Sequence, residues 1–343
     1  MTLKALVVCP GRGTYNAAEL GYLKKHHADK LELLATVDDV RQMRGQMPIT
    51  ELDNAEKHSL NMHGIGKNAS ALIYACALAD FQAIDRTQYE ICAVTGNSMG
   101  WYLALACAGA LSLEKGAFLV NEMGLLMDEN GLGGQIVYPL VDHNWQIDPM
   151  KEILINRVLT EAAAEEHEVY ISIYLGGLVV FAADKSGLDW LMQRLPKEDR
   201  YPMPLAKHAA FHSPLLDHCV PMAQQALPSK LFQQPELPLI DGTGTIWMPK
   251  ASSIDALYQY TLGTQINTTY NFSKAIEVSI KEFAPDRIIV LGPGTTMGAP
   301  VAQEMIKHRW HGLTGKQAFK DAQQKAPYLI SMGLEDQRTL ATG

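Results

Sequence analysis

The chain has 343 residues, of which 47% are apolar and 19% charged, a balance that supplies a sizeable core and excludes disorder over most of the length. A net charge of −8 excludes a general nucleic-acid binder, which needs clustered Lys and Arg against phosphates. At roughly 150 residues per domain the length predicts two domains or one interrupted domain.

Leu3 to Cys9 is short and apolar and closes on Pro10-Gly11, which predicts a buried strand. This run is too short for a signal peptide. No stretch approaches the roughly 18 apolar residues of a membrane helix. Residues 15–36 read as a helix and 37–66 as polar, irregular chain. Asn68 reads as the N-cap of a helix over 69–84. Tyr89 to Thr95 predicts a second buried strand, which runs into Gly96-Asn97-Ser98-Met99-Gly100 and then an apolar helical stretch from Trp101. A further helix covers about 113–127. Strand, helix, strand, tight turn, helix is the order of a parallel sheet covered by helices.

The pattern changes at Gly131-Leu132-Gly133-Gly134. A strand over 135–141 is followed by a helix from near Asp148-Pro149 to near His167. Strands over 169–175 and 178–184, a helix over 186–195 and a strand near Tyr201 follow. That order predicts a small ferredoxin-like unit. After about residue 205 the first pattern returns: a strand at 238–241, helices near 253–262 and 272–283, and a strand at 287–291 before Gly292-Pro293-Gly294. The expected organisation is a large α/β domain over 1–130 and 206–313, interrupted by a ferredoxin-like α+β subdomain over 131–205. A polar C-terminal tail over 314–343 is expected to pack loosely. The cysteines Cys9, Cys76, Cys92, Cys107 and Cys219 lie in apolar surroundings with no C-x-x-C pair. That pattern predicts buried thiols in a reducing cytoplasm and no zinc site.

Gly96-Asn97-Ser98-Met99-Gly100 is a G-x-S-x-G sequence placed directly after an apolar strand and before a helix. There the glycines allow a sharp turn that exposes the Ser98 hydroxyl, and the helix N-terminus turns free N–H groups toward the reacting centre. A nucleophilic serine needs a base. Of the 11 histidines, His26, His27, His58 and His63 lie in polar segments and read as surface residues. His212 stands apart, in Ala209-Ala210-Phe211-His212-Ser213-Pro214, at a loop-to-helix junction that Ser213 and Pro214 suit.

With these residues in order, the sequence resembles the malonyl-CoA:acyl carrier protein transacylases. GNSMG at 96–100, AAFHSPLL at 209–216 and LGPGTTMG at 291–298 match that family's motifs. CPGRG at 9–13 is similar to its F-P-G-Q-G loop, and Thr264-Gln265-Ile266-Asn267 to its Gln-bearing segment. The resemblance spans about residues 3–305. It implies an α/β-hydrolase-like core with a ferredoxin-like insertion. It also implies acyl transfer from coenzyme A to the phosphopantetheine of an acyl carrier protein, with no tightly bound cofactor and no metal. By the same resemblance Ser98 is the nucleophile, His212 the general base, and the Gln265 backbone carbonyl orients the imidazole. The backbone N–H groups of Arg12 and Met99 form the oxyanion hole. Neither nucleic acid nor a membrane is an expected partner.

Three departures bear on the acyl group. Asn97 and Trp101 replace the family's His and Glu at the elbow. Met123 stands where malonyl-specific members carry an Arg, 25 residues past the serine. An Arg–carboxylate pair is strong, and a carboxylate buried without its partner costs about 3–5 kcal/mol. A Met offers adaptable apolar volume instead. Asn97, Trp101, Met123, Met127 and Phe211 are therefore expected to wall a pocket for an uncharged acyl group, unless Arg12 or another cation supplies the charge. Malonyl is the family's default. An acyl hydrolase acting on carrier proteins, or a catalytically weak carrier-binding scaffold, remain alternatives. For an acidic carrier, Lys307, His308 and Arg309, or Lys274 and Lys281, are candidate docking cations.

Overall fold

The computed structural model of the chain describes residues 2–343. Its strands are β1 Leu3–Cys9, β2 Tyr89–Gly96, β3 Gly134–Pro139, β4 Val169–Leu175, β5 Leu178–Ala183, β6 Met203–Pro204, β7 Leu239–Ile240, β8 Ile246–Trp247, β9 Tyr270–Asn271, β10 Arg287–Val290 and β11 Leu329–Ser331. The larger sheet runs β11-β10-β1-β2-β7-β8 and is parallel except for β8. Ala5 to Cys9 of β1 are completely buried. That is why the strand reads as one continuous apolar run: helices cover both faces of a parallel sheet. The smaller sheet runs β6-β3-β5-β4-β9. Its first four strands, with the helices Pro149–Ala164 and Lys185–Arg194, follow the β-α-β-β-α-β order of a ferredoxin-like unit.

Side-chain alternation in the smaller sheet explains how the two units join. Ile136 and Tyr138 of β3, and Val179 and Phe181 of β5, enter a separate core with Val158 and Leu191 from the two helices. Val137, Val180 and Ile173 point the other way and pack into the main core. Successive residues on a strand face opposite sides, so this sheet is apolar on both. The division of the chain at residue 205 is not clean, however. β9 lies beyond it, yet pairs in parallel with β4 (Ile173 with Tyr270, Tyr174 with Asn271).

Other expectations require correction. The 314–343 segment is not a loose tail. β11 extends the larger sheet beside β10, and helix Glu335–Thr342 carries Arg338 into an ion pair with the fully buried Asp80. Arg338 also donates to the Tyr22 hydroxyl at 2.8 Å and to the Met332 carbonyl at 2.6 Å. The single helix expected over 15–36 is broken into a 3-10 turn at Ala17–Glu19 and helices Tyr22–His26 and Leu31–Gln42. The break falls where His27, read as a surface residue, turns inward onto Asp80 at 2.7 Å. His63, also read as exposed, is buried against the Leu52 carbonyl. The stretch 37–66 holds the short helices Ile49–Asp53 and Leu60–His63. Asn68 is not a cap. It lies in the first turn of helix Gly66–Ala83, where its side chain accepts from Arg41 at 2.6 Å and donates to the Met62 carbonyl at 2.8 Å. Among the described residues no helix is long and apolar enough to cross a membrane.

Candidate active site

β2 ends at Gly96 and helix Gly100–Cys107 begins four residues later. Ser98 sits between them at φ +56°, a left-handed conformation that L-residues adopt only when the surroundings enforce it. The enforcement is steric. A Cβ on Gly96 would lie 2.2 Å from the Gly100 carbonyl oxygen, and one on Gly100 would lie 2.4 Å from that of Cys9. Only glycines let β1, β2 and the helix start approach this closely. His212 also has φ +56°. Its backbone N–H donates to the Ile266 carbonyl at 3.0 Å, which directs the ring toward Ser98.

His212 Nε2 lies 2.7 Å from Ser98 Oγ, and Nδ1 lies 2.6 Å from the Gln265 carbonyl oxygen. A carbonyl can only accept, so Nδ1 carries the proton and Nε2 is left to accept the one on the Ser98 hydroxyl. Burial pushes the His212 pKa down to about 4, while the bond to the Gln265 carbonyl acts in the opposite direction. The imidazole therefore stays neutral well into acid. A reaction that used His212 as its base should be independent of pH from about 8 to about 5 and fall below that, where an ordinary His would already fail near 6.5. A single-turnover pH–rate profile checks this, and a break near 6.5 would contradict it.

Gln265 follows a π-turn, Tyr260–Thr264, at which Leu262 leaves helical geometry; such bulges re-aim functional groups. Its side chain has a place the sequence did not reveal. Nε2 donates to the Ser98 carbonyl at 2.9 Å, so one residue holds the imidazole through its backbone and the elbow through its amide. The Met99 and Arg12 backbone N–H groups donate no hydrogen bond among the described residues. Unsatisfied N–H groups beside a nucleophile are what a developing oxyanion requires.

Two cavities meet at Ser98. The smaller, about 50 Å³, is lined by Met99, Tyr102, Val120, Met123 and Met127 as well as Arg12, Phe211, His212 and Gln265. The larger, about 270 Å³, lies against the inner face of the smaller sheet at Val137, Ile173 and Val180. Met123, Met127 and Phe211 line the smaller cavity. Asn97 lines the larger one instead. Trp101 lines neither. It is 0% exposed, its Nε1 donates to Thr261 Oγ1 at 3.0 Å, and its ring meets Tyr260 edge-on. The second position of the helix after the elbow faces the core, not the cleft. Tyr102 and Val120 were missed because an apolar helix carries no mark of which buried face borders a cavity.

Four of the five candidate docking groups face acids on their own helices, and Arg309 forms no ion pair among the described residues. Lys274 and Lys281 both pair with Glu277, and Lys307 and His308 with Glu304. Among the described residues no group of three or more His, Cys, Asp or Glu side chains is placed to hold a metal ion.

No family model matches the chain. A non-reducing polyketide synthase of Trichophyton tonsurans is 28% identical over 214 residues, covering 61% of this chain and 11% of the synthase. A malonyl CoA-acyl carrier protein transacylase of Bacillus subtilis is 25% identical over 157 residues, covering 45% of this chain and 37% of the relative. The chain thus spans well under two thirds of the length of these curated relatives. The likeness of fold is much more extensive. The acyl-carrier-protein S-malonyltransferase of Burkholderia pseudomallei superposes with a TM-score of 0.77 over 99% of both chains, at 19% identity. The chain has the fold of the malonyl-CoA:acyl carrier protein transacylases. A malonyl-transacylase solved in complex with its type II polyketide acyl carrier protein shares this transacylase fold, with a TM-score of 0.72, 20% identity and coverage of 99% and 98%. Within the transacylase fold the smaller, ferredoxin-like sheet roofs the cleft in which Ser98 and His212 meet.

Proposed function

We propose that the chain transfers a short acyl group from a coenzyme A thioester to the phosphopantetheine thiol of an acyl carrier protein, by way of an ester on Ser98. The observation that carries this reading is the Ser98 Oγ–His212 Nε2–Gln265 carbonyl series, at 2.7 and 2.6 Å. Its placement in the transacylase fold, and the neighbour solved with its carrier protein, support the choice of donor and acceptor.

In the first half-reaction Ser98 Oγ attacks the thioester carbonyl while His212 Nε2 takes the hydroxyl proton. The tetrahedral oxyanion is held by the N–H groups of Arg12 and Met99; each such donor is typically worth roughly 2.7–4 kcal/mol. The C–S bond then breaks, and His212 returns the proton to the departing sulfur. In the second half, the carrier thiol gives its proton to His212 and attacks the acyl ester. The C–O bond breaks and Ser98 recovers its proton. The neutral imidazole enters both halves in the same protonation state.

Incubation with acetyl- and malonyl-CoA, followed by intact mass, should reveal one acyl group per chain, localised to Ser98. Addition of a holo carrier protein should move that mass to the carrier. Release of free acid at the same rate without the carrier would identify a hydrolase. No adduct from any acyl-CoA would overturn the reading.

A further inference from the structure

Two peptide units carry the unsatisfied N–H groups beside the nucleophile, Gly11–Arg12 and Ser98–Met99. Arg12, Ser98 and Met99 line the smaller cavity together. Both units are trans, so in each the carbonyl and the N–H point in opposite directions. Whatever holds one end therefore aims the other.

Each carbonyl end is held. The Gly11 carbonyl accepts from the Thr14 hydroxyl at 3.0 Å, and the Ser98 carbonyl from the Gln265 amide at 2.9 Å. Thr14 and Gln265 are both buried, so water does not compete for either bond. Thr14 is itself backed from outside. Gly294, at φ +73°, comes so close that a Cβ there would lie 2.4 Å from the Thr14 carbonyl oxygen. The LGPGTTMG stretch at 291–298 thus braces the loop after β1. The Arg12 guanidinium ties down the same loop, donating to the Gly64 and Lys207 carbonyls, both at 2.9 Å.

The neighbouring peptide, Gly96–Asn97, is the instructive contrast. Its carbonyl accepts from the Tyr270 hydroxyl at 2.6 Å, and its N–H donates to the Cys9 carbonyl at 3.1 Å. That unit is satisfied at both ends and is structural. Gly11–Arg12 and Ser98–Met99 are satisfied on the carbonyl side alone. A hydrogen bond to the carbonyl polarises the amide and strengthens its N–H as a donor. Donors fixed before a charge develops need no reorganisation when it does.

We propose that Thr14 and the Gln265 side chain are positioning residues that set the oxyanion hole from behind: by holding the Gly11 and Ser98 carbonyls, they aim the Arg12 and Met99 N–H groups at the oxygen that becomes charged when Ser98 is acylated. The inference rests on the reading that Ser98 attacks a thioester carbonyl. Neither side chain touches the reacting atoms. Both act on the transition state and not on the bound thioester, whose carbonyl oxygen is not yet an anion. Gln265 then serves base and hole at once, the first through its backbone and the second through its amide.

Thr14→Val removes the hydroxyl at nearly constant volume, and Gln265→Met removes the amide at nearly constant length. In single-turnover acylation by acetyl- or malonyl-CoA, each should lower the maximal rate by about tenfold, the weight of one hydrogen bond. The half-saturating concentration should stay as in the wild type. Thr14→Ser, which keeps the hydroxyl, should recover most of the rate. Labelling of Ser98 by a fluorophosphonate, whose P=O oxygen requires the same two N–H groups as fluoride departs, repeats the comparison without coenzyme A. Circular dichroism verifies each fold; if Thr14→Val does not fold, Thr14→Ala and Gln265→Met carry the same expectations. Folded variants that acylate and label at the wild-type rate would overturn the proposal. So would a loss confined to the half-saturating concentration, or one that Thr14→Ser fails to restore. If the wild type takes up the fluorophosphonate but no acyl group, the transfer reading falls and the labelling rates still decide the inference. Neither label nor acyl group on the wild type would overturn both.

Discussion

Replacing His212 by alanine should slow acylation of Ser98 by on the order of 10²- to 10⁴-fold. The wild-type hydroxyl has one acceptor in place, His212 Nε2 at 2.7 Å, and alanine leaves the proton nowhere to go but water. The alternative base fails on geometry. His208, the other histidine at the cleft, has its Nδ1 engaged by Gln135 Oε1 at 2.8 Å and makes no hydrogen bond to Ser98. Quenched time courses read by intact mass, with Ser98→Ala as the zero reference, measure the effect. Circular dichroism verifies that the variant is folded. An adduct that forms at the wild-type rate would remove His212 from the mechanism.

The second large effect is steric. Gly100→Ala should destabilise the protein by about 3 kcal/mol or more and abolish acylation with it. The added methyl would lie 2.4 Å from the Cys9 carbonyl oxygen and 2.9 Å from that of Pro10. Both oxygens are backbone atoms at the end of β1, in the middle of the larger sheet, and cannot rotate away. Relief requires lifting the helix off the strand, which moves Met99 and Ser98 together. Gly298→Ala is the control: at the start of another helix, its methyl would meet nothing within 4 Å, so stability should change little. Thermal melts of the two variants give the comparison. A Gly100→Ala protein as stable as the control would mean that the elbow is looser than its geometry indicates.

The fold class was legible because β1 and β2 are continuous apolar runs punctuated by glycine, and because the helix before β2, Gly66–Ala83, is long and apolar. What escaped was short or paired at a distance. β11 has three residues, too few for a period to register, and the helix before it is exposed and polar. Arg338 carries no local sign of burial, because its partner Asp80 stands 258 positions away. The cleft divides in the same way. The elbow announces Ser98 through its glycines, which local backbone demands. The meeting of Ser98 with His212 spans 114 positions, and no local spacing contains it; only the resemblance of ordered motifs suggested it. The Gln265 amide, the Arg12 guanidinium and the inward turn of Trp101 are side-chain directions. A sequence fixes these only through the packing of its neighbours.

The pairing of β9 with β4 has a mechanical consequence. Thr269, next to β9, donates to the Ile171 carbonyl at 2.7 Å, and Ser172 donates to the Phe211 carbonyl at the same distance. The smaller sheet therefore grips the chain on both sides of the dyad: beside His212 through Phe211, and a few residues past Gln265 through Thr269. A roof hinged at its two crossings could swing open and leave the base in register with the nucleophile. This roof cannot, because its outermost strand belongs to the segment that steers the imidazole. Rotation of the roof would draw on the chain beside His212 and past Gln265 at once. Catalytic alignment and the position of the roof are therefore one mechanical state.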